Sequence, residues 1–275
     1  MKVSNAIVVY SQVASVQKSH AWKTWAKLYG ELWGDREVAG ITAGEINAHI
    51  AERRAAGKSE ATIRSMLNTL RQIFATADVS LPPRVAKTKK CNERVRTFEG
   101  NEEQRIKAVM GQQHWAVVEA AALTGLRGME LFNLRQCEVN FAGGYLYVSN
   151  ATGNKTGARR VLLGPKAKKA LKWLIDDSQK RGCCDYVVNP PGFTSFRQRR
   201  SLMAAWKERV WRPALRVAKV QDFHFHDLRH VTASRIVCAG HSLYNVEKVL
   251  GVSPNIARRY AHLNDKALRT AVSCL

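Results

Sequence analysis

Three short stretches of this chain hold side chains suited to one reaction. Thr124-Gly-Leu-Arg127-Gly-Met-Glu130 sets an arginine one turn ahead of a glutamate, and His226-Asp-Leu-Arg229-His230 joins a second arginine to two histidines. Leu250-Gly251 then leads to Arg258-Arg259-Tyr260-Ala-His262. Exchange at a phosphodiester needs an in-line nucleophile, positive charge on two non-bridging oxygens and a proton for the departing oxygen. Arginine suits the second task because its planar fork donates parallel hydrogen bonds and stays charged at any working pH, so Arg127 and Arg229 are the candidate clamp. Tyr260 is the candidate nucleophile. A free phenol with a pKa of ~10 is ionised in only about one copy in a thousand at neutral pH, and Arg258 and Arg259 are expected to favour its phenolate. His226 is expected to hydrogen-bond the phosphate with acid–base character.

His226 and His230 lie four apart and could instead hold a metal from one helix face. The glutamate of a HExxH motif is missing, however, and no third ligand stands at a sensible spacing. The reading therefore expects neither metal nor other cofactor.

The composition points to the same partner. Across 275 residues, 44 Lys and Arg against 22 Asp and Glu leave a formal charge of +22, far more than solubility requires and attractive to a polyanion. These charges run through the whole chain rather than along one terminal amphipathic segment, which argues against a membrane surface. No apolar run nears the ~18 residues of a membrane span, and Ala6 to Tyr10 is too short and poorly flanked for a secretory signal, so a cytosolic protein is expected. The cysteines (Cys91, Cys137, Cys183, Cys184, Cys238, Cys274) form no CxxC pair and are read as reduced, structural thiols.

The elements that must position these groups follow from periodicity. Trp22, Trp25, Tyr29, Leu32 and Trp33 recur at helical spacing after Ser19 and before Gly34 and are read as core rather than as a base-stacking stripe. Thr42 to Glu45 is a capping box for a segment running to Gly57, and Ser59 opens another with Ile63, Met66, Leu67, Leu70 and Ile73 on one face. Residues 1–81 thus form a helical bundle. Two prolines and several basic residues mark 82–96 as a linker whose charge suits phosphates. Beyond it, Asn101 to Arg135 reads as helical, Tyr145 to Ser149 and Arg159 to Leu163 as strands about a turn holding Lys155, and Lys166 to Gln179 as helical again. Phe196 to Lys219 is a basic helical stretch interrupted by Pro213, and the rest is helical with breaks at Gly240, Gly251 and Pro254. The fold class is mainly α with a small antiparallel β-sheet in the second domain, 97–275.

Taken in order and register, these motifs resemble the tyrosine recombinases of the phage-integrase family. The Thr-Gly-Leu-Arg-x-x-Glu-Leu box is Thr124 to Leu131, the HxLR box is His226 to Arg229, and the nucleophile box runs from Leu250-Gly251 through Tyr260-Ala-His262. The resemblance implies a helical core-binding domain followed by a catalytic domain closing around double-stranded DNA. Tyr260 would form a 3′-phosphotyrosyl link and free a 5′-hydroxyl, with Arg127, Arg229 and His226 on the phosphate and Glu130 buttressing Arg127. Lys155 would protonate the leaving oxygen. Because the covalent link stores the bond energy, neither metal nor ATP is required. The resemblance further implies a homotetramer on paired sites, a terminal helix (Ala267, Leu268, Ala271, Val272, Leu275) docking on a neighbour, accessory DNA-bending proteins, a nucleoid-associated location, and integration or excision of a mobile element.

One position departs from the pattern. The family carries a histidine or tryptophan after Leu-Gly, whereas this chain has Val252, which cannot hydrogen-bond. An active enzyme is expected, the missing donor costing on the order of 10²–10³ in rate at most, with His224 or His241 as substitutes. Two rivals use the same residues: a type IB topoisomerase-like enzyme, and a catalytically impaired DNA-binding relative.

Overall fold

A computed structural model describes residues 1–12, 21–89, 94–149, 157–183, 185–193 and 198–264. They fall into two compact units, Met1–Asn92 and Glu93–Leu275.

Among the described residues, the first unit packs the α-helices α1 (Val3–Gln12), α2 (Ala21–Trp33), α3 (Ala43–Ala55) and α4 (Glu60–Ala75). The capping box forms as expected: Thr42 Oγ1 accepts from Glu45 N at 3.3 Å and Glu45 Oε2 accepts from Thr42 N at 2.9 Å. Ser59 Oγ caps α4 by accepting from Thr62 N at 3.2 Å. Ile63, Met66, Leu67, Leu70, Ile73 and Phe74 form the buried face of α4, against Tyr29 and Trp33 of α2. The aromatic stripe is thus core along Tyr29 and Trp33, half-buried at Trp22 and Trp25, and exposed at Leu32. Tyr29 satisfies its buried hydroxyl by donating to Met66 O at 3.0 Å.

The basic stretch after this bundle is anchored. Asn47 Nδ2 donates to Arg84 O and Asn47 Oδ1 accepts from Ala86 N, while Arg64 reaches Thr88 and Glu60 accepts from Lys89 N at 2.8 Å. Residues 84–89 therefore belong to the first unit. Arg94 and Arg96 belong to the second, where they bond Asp227 at 2.6 Å and Glu102 at 2.7 Å.

The second unit begins with α5 (Glu102–Val109), α6 (Gln112–Thr124) and α7 (Gly128–Asn133). A three-stranded antiparallel sheet follows, in the order β1 (Val139–Asn140), β2 (Tyr145–Val148), β3 (Arg159–Leu162). Leu146 pairs with Val161, and both bury their side chains, whereas Tyr147 and Leu162 face outward as period-two alternation requires. Helix α8 (Pro165–Lys180) starts on a proline, whose missing N–H costs nothing at a first turn, and packs along α6. After α9 (Arg199–Trp206) and α10 (Arg212–Val217) come α11 (Asp227–Cys238), α12 (Leu243–Leu250), α13 (Pro254–Ala257) and a 3-10 turn, Arg258–Asn264.

Pro213 does not interrupt its stretch. Residues Lys207–Trp211 widen into a π-helical turn in which Arg212 N–H bonds Lys207 O, five residues back. That register shift admits the proline ring and carries the chain from α9 straight into α10.

The main core gathers Trp115, Leu131, Phe132, Leu146, Val161, Leu171, Trp206, Trp211, Phe225 and Leu228. A smaller cluster of Ala233, Val237, Val246, Leu250, Ala257 and Tyr260 ties α11, α12 and α13 together. No helix of the described residues is long and apolar enough to cross a membrane.

Candidate active site

Helix α6 ends at Gly125, whose φ of +64° is the left-handed cap that glycine adopts without penalty. The chain then turns through Arg127, which caps α7. Glu130, buried in the first turn of α7, accepts from Arg127 N and from Arg127 Nη1, each at 2.9 Å. A second arginine joins it from β3: Arg159 Nη1 and Nη2 donate to the two Glu130 oxygens at 3.0 and 2.7 Å. Burial alone would raise the Glu130 pKa, but the bonds from Arg159 and Arg127 outweigh it and hold the carboxylate below its ordinary range.

Arg229 is buried on α11 and is fixed by two carbonyls. Nη1 donates to Gly125 O and Nη2 to Leu250 O, each at 2.6 Å. Both acceptors lie at helix C-termini, where partial negative charge favours a cation. Each is followed or formed by a glycine at positive φ, Gly125 at +64° and Gly251 at +61°. A Cβ on Gly125 would fall 2.3 Å from Leu250 Cδ2, and one on Gly251 would fall 2.6 Å from Arg159 Cδ. Burial, with Arg127 nearby, lowers the Arg229 pKa to about 10, so the guanidinium remains charged at neutral pH. Two of its five N–H donors are committed to these carbonyls.

His226 stands at the N-terminus of α11, exposed at its edge. Partial enclosure of the ring, then the charges of Arg229, Arg127 and Lys207, lower its pKa, while Asp227 opposes them. Asp227 is buried and anchors the helix start, accepting from Arg94 Nη2 at 2.6 Å and His224 N at 2.7 Å. His230, one turn on, presents its ring edge-on to His226 with centroids 5.8 Å apart.

Tyr260 lies in the closing 3-10 turn with 2% of its surface exposed. Its Oη is 2.6 Å from Nδ1 of His230, its only hydrogen-bond partner among the described residues. The expected ease of ionisation is corrected here. Burial raises the phenol pKa and outweighs the opposing charges of Arg229 and Arg259.

Arg127, Glu130, His226, Arg229 and Tyr260 are thus brought together, linked by hydrogen bonds or by the charges acting between them. Val252 lies just past the Gly251 cap, half-buried against the Tyr260 cluster and beside Arg159. Of the two substitute histidines, His224 is occupied near Asp227, 3.5 Å from its carboxylate, and His241 lies beyond the far end of α11. Lys155 and the terminal stripe from Ala267 to Leu275 lie outside the described residues. Sequence reasoning missed Arg159 as a brace for Glu130, His230 as the partner of Tyr260, and Lys207 as a charge acting on His226. Only His230 left a signal, being on the same helical face as His226.

Residues 95–267 of the chain match a family model described as the phage integrase family. The chain belongs to the phage integrase family. Among curated relatives, it is 31% identical to the integrase of Salmonella phage P22 over 175 residues, 62% of this chain and 45% of that protein. It is 26% identical to the shufflon-specific DNA recombinase of Escherichia coli over 211 residues, 74% of this chain and 49% of that protein. The chain spans about half the length of these curated relatives. Its fold is shared with other members at lower identity. A lambda integrase dimer bound to a core site aligns with a TM-score of 0.71 at 17% identity, over 94% of this chain and 95% of that one. The integrase of the transposon Tn1549, in complex with transposon right end DNA, aligns with a TM-score of 0.71 at 15% identity, over 99% of each chain.

Proposed function

We propose that this chain is a site-specific DNA recombinase that cleaves and rejoins DNA through a 3′-phosphotyrosyl intermediate, integrating or excising a mobile element. The observation that carries the reading is the shared attachment of the site: Arg229 is pinned by the carbonyls that end α6 and α12, and its charge acts on Tyr260. Preorganised donors of this kind act on charge as it develops, without reorganising first.

In this reading Tyr260 attacks the phosphate, Arg127 and Arg229 hold its non-bridging oxygens, His226 hydrogen-bonds it, and Lys155 protonates the departing 5′-oxygen. Glu130 positions Arg127. Val252 leaves the usual donor position apolar. The phosphotyrosyl bond conserves the energy of the broken phosphodiester, so strand joining needs no ATP. Residues 1–81 act as the core-binding domain, 82–96 as a basic connection and 97–275 as the catalytic domain.

The partner is double-stranded DNA, favoured by the +22 charge. A homotetramer on paired sites is the working assembly, in keeping with the lambda integrase tetramer bound to a Holliday junction, whose chain shares this fold at a TM-score of 0.68. Accessory DNA-bending proteins and a nucleoid-associated, cytoplasmic location complete the reading.

The test uses duplexes selected from a random-sequence pool for binding to the wild-type chain, then nicked within the protected region so that cleavage is trapped. A covalent protein–DNA adduct is expected from wild type and none from Tyr260→Phe. Equal adduct from both sinks the assignment. Relaxation of supercoiled DNA without strand exchange between two partners would favour the topoisomerase reading.

A further inference from the structure

Tyr260 faces a proton problem that the phosphate-binding residues do not solve. Its phenol is buried, and burial keeps it protonated. Attack through Oη therefore requires loss of its proton to an acceptor within hydrogen-bond reach. The group in place is His230, with Nδ1 2.6 Å from Oη.

We infer that His230 is a catalytic residue that accepts the Tyr260 proton as the Oη–P bond forms, an assignment that rests on the recombinase reading above. For Nδ1 to accept, the ring must be neutral with its hydrogen on Nε2. The surroundings favour that form. Burial, then His226, Arg259 and Arg229, lower the His230 pKa, and Asp227 alone among its charged neighbours opposes them. The two histidines of α11 then divide the work. His226 is exposed at the helix start and feels the charges of Arg229 and Arg127, where the phosphate would sit, whereas His230 is half-buried and turned to the nucleophile.

The step balances. Oη–P forms and P–O5′ breaks; the phenolic proton moves to Nδ1, giving imidazolium, while the departing O5′ takes a proton from Lys155. On rejoining, O5′ attacks phosphorus and returns a proton to Lys155, P–Oη breaks, and the imidazolium gives its proton back to the phenolate. His230 is thus a base in cleavage and an acid in resealing.

The experiment compares wild type, His230→Gln, His230→Ala and Lys155→Ala on the selected, nicked duplexes. Each is made with an ordinary phosphate and with a 5′-bridging phosphorothiolate, whose sulfur departs without a proton. Duplex binding and thermal melting serve as folding controls, and the glutamine variant preserves size if alanine does not fold. Both His230 variants are expected to bind like wild type and to form adduct slower by about 10²–10⁴. They should lose the wild-type fall in rate at acid pH and gain nothing from the phosphorothiolate, which should restore Lys155→Ala. His230→Gln cleaving at the wild-type rate with the wild-type pH profile overturns the inference, as does its full restoration by phosphorothiolate. Absence of adduct from wild type on either substrate overturns the recombinase reading itself.

Discussion

Glu130 and Arg159 form a two-pronged ion pair, 3.0 and 2.7 Å, that joins the first turn of α7 to strand β3. Because Glu130 Oε1 also receives Arg127 Nη1, the pair fixes the arginine proposed to hold the phosphate. Glu130 is buried and Arg159 half-buried, so removal of the arginine leaves the carboxylate poorly compensated. Arg159→Ala is expected to cost about 3 kcal/mol in chemical denaturation and to slow adduct formation more than it weakens DNA binding. Unchanged stability and rate would show that Arg127 holds Glu130 unaided.

The same carboxylate sets a pH dependence. Its folded pKa is depressed, so the folded state binds fewer protons than the unfolded chain near that pH. The stabilisation is full above the unfolded value of about 4.3 and is lost as pH falls through the folded value. Wild type should therefore lose stability below about pH 4 more steeply than Glu130→Gln, as read by denaturant midpoints across that range.

Gly125 and Gly251 test the seat of Arg229. Alanine at either must hold positive φ, a strain of roughly 1–2 kcal/mol, and its Cβ would strike Leu250 or Arg159. Since Leu250 O and Gly125 O hold Arg229, each substitution should depress cleavage by more than its loss of stability accounts for. Activity falling only in step with unfolded fraction would remove Arg229 positioning from the explanation.

Val252→His addresses the missing donor. A histidine after the Gly251 cap is expected to raise the rate of adduct formation about tenfold, part of the effect of one preorganised donor. A slower enzyme would mean that valine packing against the Tyr260 cluster matters more than the lost hydrogen bond.

Much of the fold is legible in sequence because it rests on local chemistry. Thr42 and Glu45, Ser59, and the apolar face from Ile63 to Ile73 declare their helices within a few residues of chain. The reactive residues are legible for a different reason, since their types and order match a family pattern. What sequence concealed depends on contacts between distant segments. Arg159 looks like any strand arginine until β3 is laid beside α7, and the phenol pKa turns on burial that no flanking arginine reveals. Pro213 looked like a break because the π-helical turn that accommodates it has no sequence mark.

The central claim is that Tyr260 becomes the covalent link to DNA. Trapped adduct, digested with protease and nuclease, should yield by mass spectrometry a peptide carrying a 3′-linked nucleotide on Tyr260 and on no other residue. A nucleotide on another side chain, or adduct that persists in Tyr260→Phe, would contradict the account.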